Sequence, residues 1–250
     1  MEFVSIERHD QTAVVTLSRG KVNAIQQQVV AELREAFAEI ERDNSIRSVV
    51  LTGRGKFFSF GLDVPVLYDL PPDEFTTFLK NFCGFCAELF LFPKPIVAAV
   101  NGHAVAGGCM LLIPCEAVIA VDAPINIALT EVILGASLFA STVEMLRYRV
   151  SNHVAEQLLL TGKSLTASSA RTAGLVDEVA STEHLLPKAI AKAGELAAHY
   201  GPGYKAIRRL IREPIAERWR SREEASIAEF VGVWYSSETR AKTKFITIRS

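Results

Sequence analysis

Apolar residues at Ile25, Val29, Leu33, Phe37 and Ile40 recur at three- and four-residue intervals, the spacing of one helix face. Asn23, with Gln26 three residues on, has the form of a capping box and predicts that this helix opens at Asn23. Elsewhere in the first half the apolar positions run together instead of alternating. Ala13–Leu17, Ser48–Thr52, Pro95–Val100, Ala117–Ala120 and Gly174–Val179 read as strands, and Phe3–Glu7 is strand-like. Continuous apolar strands are expected where helices cover both faces of a sheet. Strand–loop–helix units without a fixed period argue for an α/β fold.

From about residue 181 the strands cease, and helical patterns rich in Ala, Glu, Lys and Arg run to the end. Gly201-Pro202-Gly203 punctuates this tail, suggesting a core over 1–195 and a helical region over 196–250. Ile207, Leu210, Ile211, Trp219, Ile227, Phe230, Val233, Trp234 and Tyr235 stand among its charges. Such an apolar stripe must be covered, by the chain's own core or by another subunit. A subunit contact is the favoured expectation.

Composition narrows the function. The 27 basic and 28 acidic side chains leave a formal charge of −1, with no basic stripe for a nucleic acid. No apolar run is long enough to span a membrane. A strand-like segment begins at Phe3, which leaves no room for a leader and points to a cytoplasmic protein. Cys83 and Cys86 have the spacing of redox or zinc motifs, but they sit in an aromatic helical stretch without a second Cys/His pair. They read as core cysteines, and no metal is expected.

Two glycine-bearing segments directly follow strands, where open α/β sheets place their ligands. One runs from Gly53 to Asp63 and includes Phe58-Ser59-Phe60-Gly61-Leu62-Asp63; the other is Asn101-Gly102-His103-Ala104-Val105-Ala106-Gly107-Gly108-Cys109-Met110. If Gly107-Gly108 opens a helix, its first N–H groups lack intrahelical partners and can stabilise an oxygen that gains negative charge. Each segment alone reads equally well as a turn. Pro114 soon afterwards predicts a short or kinked helix.

Together with Lys21-Val22-Asn23-Ala24-Ile25, Leu160–Ala167 and Ala173–Asp177, these segments resemble the enoyl-CoA hydratase/isomerase (crotonase) family, in its order. The resemblance implies repeated ββα units with a C-terminal helical trimerisation region, in trimers or dimers of trimers. It implies an acyl-CoA thioester substrate and no separate cofactor. The Leu62 and Gly107 amides would hold the thioester oxygen beside Gly108. Lys21, Val22, Phe60, Gly61 and Asp63 would contact the substrate's CoA moiety, although Phe60 replaces a residue that is commonly small.

The family's hydratases use two glutamates. Here Met110 stands at the first position and Glu131 at the second, the one ionisable residue between Asp122 and Glu144. A carboxylate among apolar neighbours is hard to ionise, which moves its pKa toward the range useful to a base. Hydration suits two carboxylates, whereas a 1,3-proton shift needs one. A single glutamate therefore favours conversion of 3-enoyl-CoA to 2-enoyl-CoA, and Leu-Thr-Glu-x-x-Leu-Gly looks closer to the family's isomerases. Hydration with a remote acid, from Asp69, Asp73 or Glu74, and acyl-CoA binding without catalysis are the alternatives. His103 lies in the second segment but precedes the helix by several residues, and Ser137 and Ser141 lack a neighbouring histidine for a nucleophilic triad.

Overall fold

A computed structural model describes residues 1–248. The chain opens with an antiparallel hairpin, β1 (Val4–His9) and β2 (Thr12–Leu17), followed by α1 (Gln27–Arg42). Two strand pairs follow, each leading into helix: β3 (Ser48–Gly53) and β4 (Phe57–Ser59) into α2 (Val64–Tyr68) and α3 (Pro72–Leu91), then β5 (Ile96–Val100) and β6 (His103–Val105) into α4 (Gly107–Leu112). A third pair, β7 (Ala117–Val121) and β8 (Ile127–Ala128), leads into a 3-10 turn, Glu131–Leu134. Next come α5 (Ala140–Arg149), α6 (Asn152–Thr161), α7 (Ala167–Thr172), β9 (Glu178–Ala180), α8 (Thr182–Ala198), α9 (Pro202–Trp234) and α10 (Ser237–Thr243).

Each of the three pairs splits between two sheets. The first strand joins a six-stranded sheet of order β1-β2-β3-β5-β7-β9, parallel beyond the hairpin. The second joins a small parallel sheet, β4-β6-β8. Every residue of β5 and β7 is buried, which explains their unbroken apolar runs. On α8, Leu185, Ala189, Ala193 and Ala197 form a narrow buried stripe, and their small side chains let the helix lie close across β2, β3, β5 and β7.

Several expectations are corrected. Helix α1 begins at Gln27, not Asn23, and Gln26 makes no side-chain cap. Asn23 takes a left-handed φ of 51°, which asparagine tolerates better than most residues. Its amide donates to the carbonyls of Arg54 (3.0 Å) and Phe57 (2.8 Å), tying its loop to the one before β4. The strand expected over Gly174–Val179 is confined to Glu178–Ala180, because Gly174 turns the chain at φ +82°.

The tail also departs from expectation. Its aromatic stripe is covered by α3 and α5 of its own chain: Phe230 stacks on Phe139 at 4.8 Å, and Trp234 lies 5.0 Å from Phe75. At the other end of α9, buried Arg208 and Arg212 reach Glu116 at 2.7 and 2.8 Å and donate to the Phe90 carbonyl. Those ion pairs anchor the helix to the core, leaving Ile207, Leu210 and Ile211 exposed on another face. Cys83 and Cys86 lie buried and unbridged in α3, as expected. Pro114 follows a helix of only six residues. Among the described residues, no helix is long and apolar enough to cross a membrane.

Candidate active site

The two glycine segments meet edge to edge. The first leaves β4 and is held from below by the loop before α1: Phe60 N–H donates to the Val22 carbonyl (2.9 Å), Ile25 N–H to Gly61 (2.8 Å) and Asp63 N–H to Ile25 (2.8 Å). The second leaves β6 and turns into α4 at Ala106, whose φ of 51° and ψ of −125° are strained for a residue with a side chain. Gly61 is required where they touch. It has φ +93°, and a Cβ there would stand 2.7 Å from the Val105 oxygen and 2.9 Å from the Gly107 nitrogen.

Two backbone donors are left beside each other by this packing. Among the described residues, neither the Leu62 nor the Gly107 N–H has an acceptor. The position of a Cβ on Gly107 is 3.4 Å from the Leu62 nitrogen, so the two groups are neighbours. Gly107 is the first residue of α4, where an N–H has no intrahelical acceptor.

Next to these donors lies a cavity of about 290 Å³. Its walls are apolar: Phe60, Leu62, Val64, Val105, Ala106 and Met110 from the first half of the chain, and Leu134, Ala136, Phe139, Phe230, Trp234, Ile246 and Ile248 from the second. Thr130 and Glu131 complete it, and Glu131 is the one ionisable residue among those described that line it. The carboxylate stands at the start of the 3-10 turn, is only 6% exposed, and has no partner for Oε2. Burial pushes its pKa up to about 7. A carboxyl group raised toward neutrality in this way is suited both to take and to return a proton.

Other candidate residues lie elsewhere. Asp63 does not line the cavity; its carboxylate pairs with Arg19 at 2.5 Å and caps α2 through Val66 N–H. Lys21 is exposed and Val22 half-buried, and neither lines the cavity, although the Val22 carbonyl positions Phe60 at its rim. Gly108 serves packing: a Cβ there would be 2.2 Å from the Ser59 oxygen. Asp69 is exposed, and Asp73 and Glu74 line a separate groove with Gln26 and Gln27. His103 packs on Phe57 and accepts from Asn126 N–H. Ser141 is bonded to Glu223 at 2.6 Å. None of the three carboxylates Asp69, Asp73 and Glu74 lines the cavity that Met110 and Glu131 share. Sequence reasoning missed Thr130, Phe139, Phe230, Trp234 and Ile246 as cavity residues; the aromatic stripe of the tail was the visible signal for Phe230 and Trp234, and the Leu-Thr-Glu motif for Thr130.

Comparison with known proteins shows the family and the fold. A family model described as enoyl-CoA hydratase/isomerase matches residues 7–240. A putative enoyl-CoA hydratase of Thermus thermophilus is 32% identical over 213 residues, which cover 84% of this chain and 83% of that protein. The human mitochondrial Δ3,Δ2-enoyl-CoA isomerase shares the fold, with a TM-score of 0.92 over 97% of this chain and 95% of its own, at 24% identity. A Mycobacterium tuberculosis enoyl-CoA isomerase superposes with a TM-score of 0.84 at 28% identity, over 91% of this chain and 99% of that one.

Proposed function

We propose that this chain, which belongs to the enoyl-CoA hydratase/isomerase family, converts 3-enoyl-CoA to 2-enoyl-CoA with Glu131 as its single base. The C2 protons of a 3-enoyl thioester are flanked by the carbonyl and the double bond. Glu131 takes one of them, and the released electron pair delocalises into a dienolate whose charge rests largely on the thioester oxygen. The Leu62 and Gly107 N–H groups donate to that oxygen; loss of one such donor typically costs about 100- to 1000-fold in rate. Glu131, now protonated, returns the proton at C4, leaving the double bond between C2 and C3. No atom is gained or lost.

The observation that carries this reading is the cavity's composition: one carboxylate whose Oε2 has no partner, apolar walls, and Met110 where a second acid would be needed. Apart from Thr130 and Glu131 the described walls offer no polar side chain to hold and orient the water that hydration would consume. Phe60 and Gly61 border the thioester, with Lys21 and Val22 further along the CoA moiety, while Asp63 holds the loop through Arg19. No cofactor is required by this chemistry. A trimer or a dimer of trimers would cover exposed Ile207, Leu210 and Ile211, which light scattering tests.

The hydratase name of the Thermus relative favours a second reading, hydration of 2-enoyl-CoA. The two are separated by incubating the protein with each substrate and following absorbance and mass. Conversion of the 3-enoyl thioester without mass change, lost in Glu131→Gln, supports the isomerase. Addition of one water to the 2-enoyl thioester overturns it.

A further inference from the structure

The turn that carries Glu131 is tied to the rest of the chain by very little. Within segment 129–138 the hydrogen bonds are local: Ile133 N–H donates to the Thr130 carbonyl, Gly135 N–H to Val132 and Ala136 N–H to Glu131. Among the described residues, the segment's one hydrogen bond to another element comes from α10, where the Thr239 hydroxyl donates to the Gly135 carbonyl at 2.7 Å. On the outer side, Val132 and Ile133 pack against Gly162 but stay exposed. Thr239 itself is 1% exposed. The Ser236 hydroxyl, which caps α10, donates to Thr239 Oγ1 at 3.2 Å and leaves the threonine's own hydrogen for Gly135. The next residue clamps α10 to α2, the short helix that follows the Leu62 donor. The Arg240 guanidinium lies 3.3 Å from the centre of the Tyr68 ring and donates to the Tyr68 carbonyl, and the Tyr68 hydroxyl donates to the Arg240 carbonyl at 3.5 Å. Helix α10 therefore joins the turn that bears the carboxylate to the segment that bears the Leu62 N–H.

We infer that Thr239 is a positioning residue, whose hydroxyl, acting through the Gly135 carbonyl, fixes where the Glu131 carboxylate stands relative to the Leu62 and Gly107 N–H groups. This rests on the reading of Glu131 as the base. Thr239 does not line the cavity, so it touches no substrate and acts only through the turn. A proton leaves C2 readily only while the thioester oxygen is held, so the base and the two donors must keep their spacing. They come from separate segments, and Gly135 closes the turn that Glu131 opens, so a shift at one end moves the other. Misplacement by about 1 Å, through a change far from the chemistry, can cost about 100-fold in rate.

The test is steady-state isomerisation of a 3-enoyl-CoA by the wild type, by Thr239→Val, which keeps the shape and removes the hydroxyl, and by Thr239→Ser, which keeps the hydroxyl. In Thr239→Val, kcat per folded molecule should fall by roughly 10- to 100-fold, with KM within about twofold of wild type. Thr239→Ser should stay within about threefold of wild type. In a Glu131→Gln background, Thr239→Val should cost less than about twofold more, because the two residues act as one unit. A side chain that only stabilised the fold would lower the melting temperature and leave kcat per folded molecule unchanged, and that result overturns the inference. So does an equal loss in Thr239→Val and Thr239→Ser, or the full loss repeated in the Glu131→Gln background. If Thr239→Val does not fold, Arg240→Ala decides. Loosening α10 from Tyr68 should lower kcat by about three- to tenfold at unchanged KM, and an unchanged kcat overturns the inference. If Glu131→Gln alone is as active as the wild type, the reading of Glu131 as base fails and takes this inference with it, a result seen without any Thr239 variant.

Discussion

Glu32 and Glu131 expose similarly small fractions of their surface, 7% and 6%, but Glu32 lies just beneath the protein's edge and Glu131 deep within it, and their carboxyl groups are pushed in opposite directions. Around Glu32, on α1, Oε2 accepts from the Phe3 and Val4 N–H groups at 2.7 and 3.0 Å, and Oε1 from Gln28 at 2.9 Å. Burial alone would raise its pKa, but these donors outweigh burial and hold it below the ordinary carboxylate range. Around Glu131 no side chain or backbone donor reaches Oε2, and burial wins. Burial sets the cost of a charge, and partners decide whether the charge is kept. One glutamate fastens the N-terminal strand to a helix; the other is left available for chemistry.

The contrast is broken most severely by Glu131→Gln, which should lower kcat on 3-enoyl-CoA by about 1000-fold while leaving the fold intact. The same substitution should stabilise the protein at pH 8. A raised pKa means that the folded state binds more protons than the unfolded one between about 4.5 and 7. Stability therefore falls as pH rises through that window, and a neutral side chain removes a cost of up to ~3 kcal/mol. Thermal melts at pH 8 and pH 4.5 check this, with the gain vanishing at the lower pH.

Glu32→Gln should do the reverse. It should destabilise the protein by roughly 1–2 kcal/mol at pH 7, with kcat within about twofold of wild type. Because its folded pKa is depressed, its ionised contribution is present above the unfolded value of about 4.5 and lost as pH falls through the folded one. The destabilisation should accordingly shrink in acid. The smallest effect belongs to Met110→Leu, a swap of similar volume that should change kcat by less than about threefold if position 110 carries no chemistry.

Much of this can be read in the sequence, for identifiable reasons. The strands of the large sheet are legible because both faces are buried, which makes Val49–Leu51, Ile96–Val100 and Ala117–Val121 unbroken apolar runs. Glu131, Gly61 and Gly107 are singled out in the sequence by the family motifs that carry them, and close backbone approach accounts for Gly61. The small sheet is not, since its strands are two or three residues long and pair only with one another. Nor is the start of α1, where Asn23 serves a distant loop instead of a helix end. The cavity's far wall is hidden for a different reason. Phe139, Phe230, Trp234 and Ile246 meet there because α9 folds back on α3 and α5, a destination that helical periodicity does not specify.

The most direct test of the single-base account is the pH profile of kcat/KM for isomerisation of a 3-enoyl-CoA. With one unpartnered carboxylate as base, the profile should rise with unit slope and level off above an apparent pKa of about 7. A bell-shaped profile that disclosed a second essential acid, or activity unchanged between about pH 5 and 9, would contradict it.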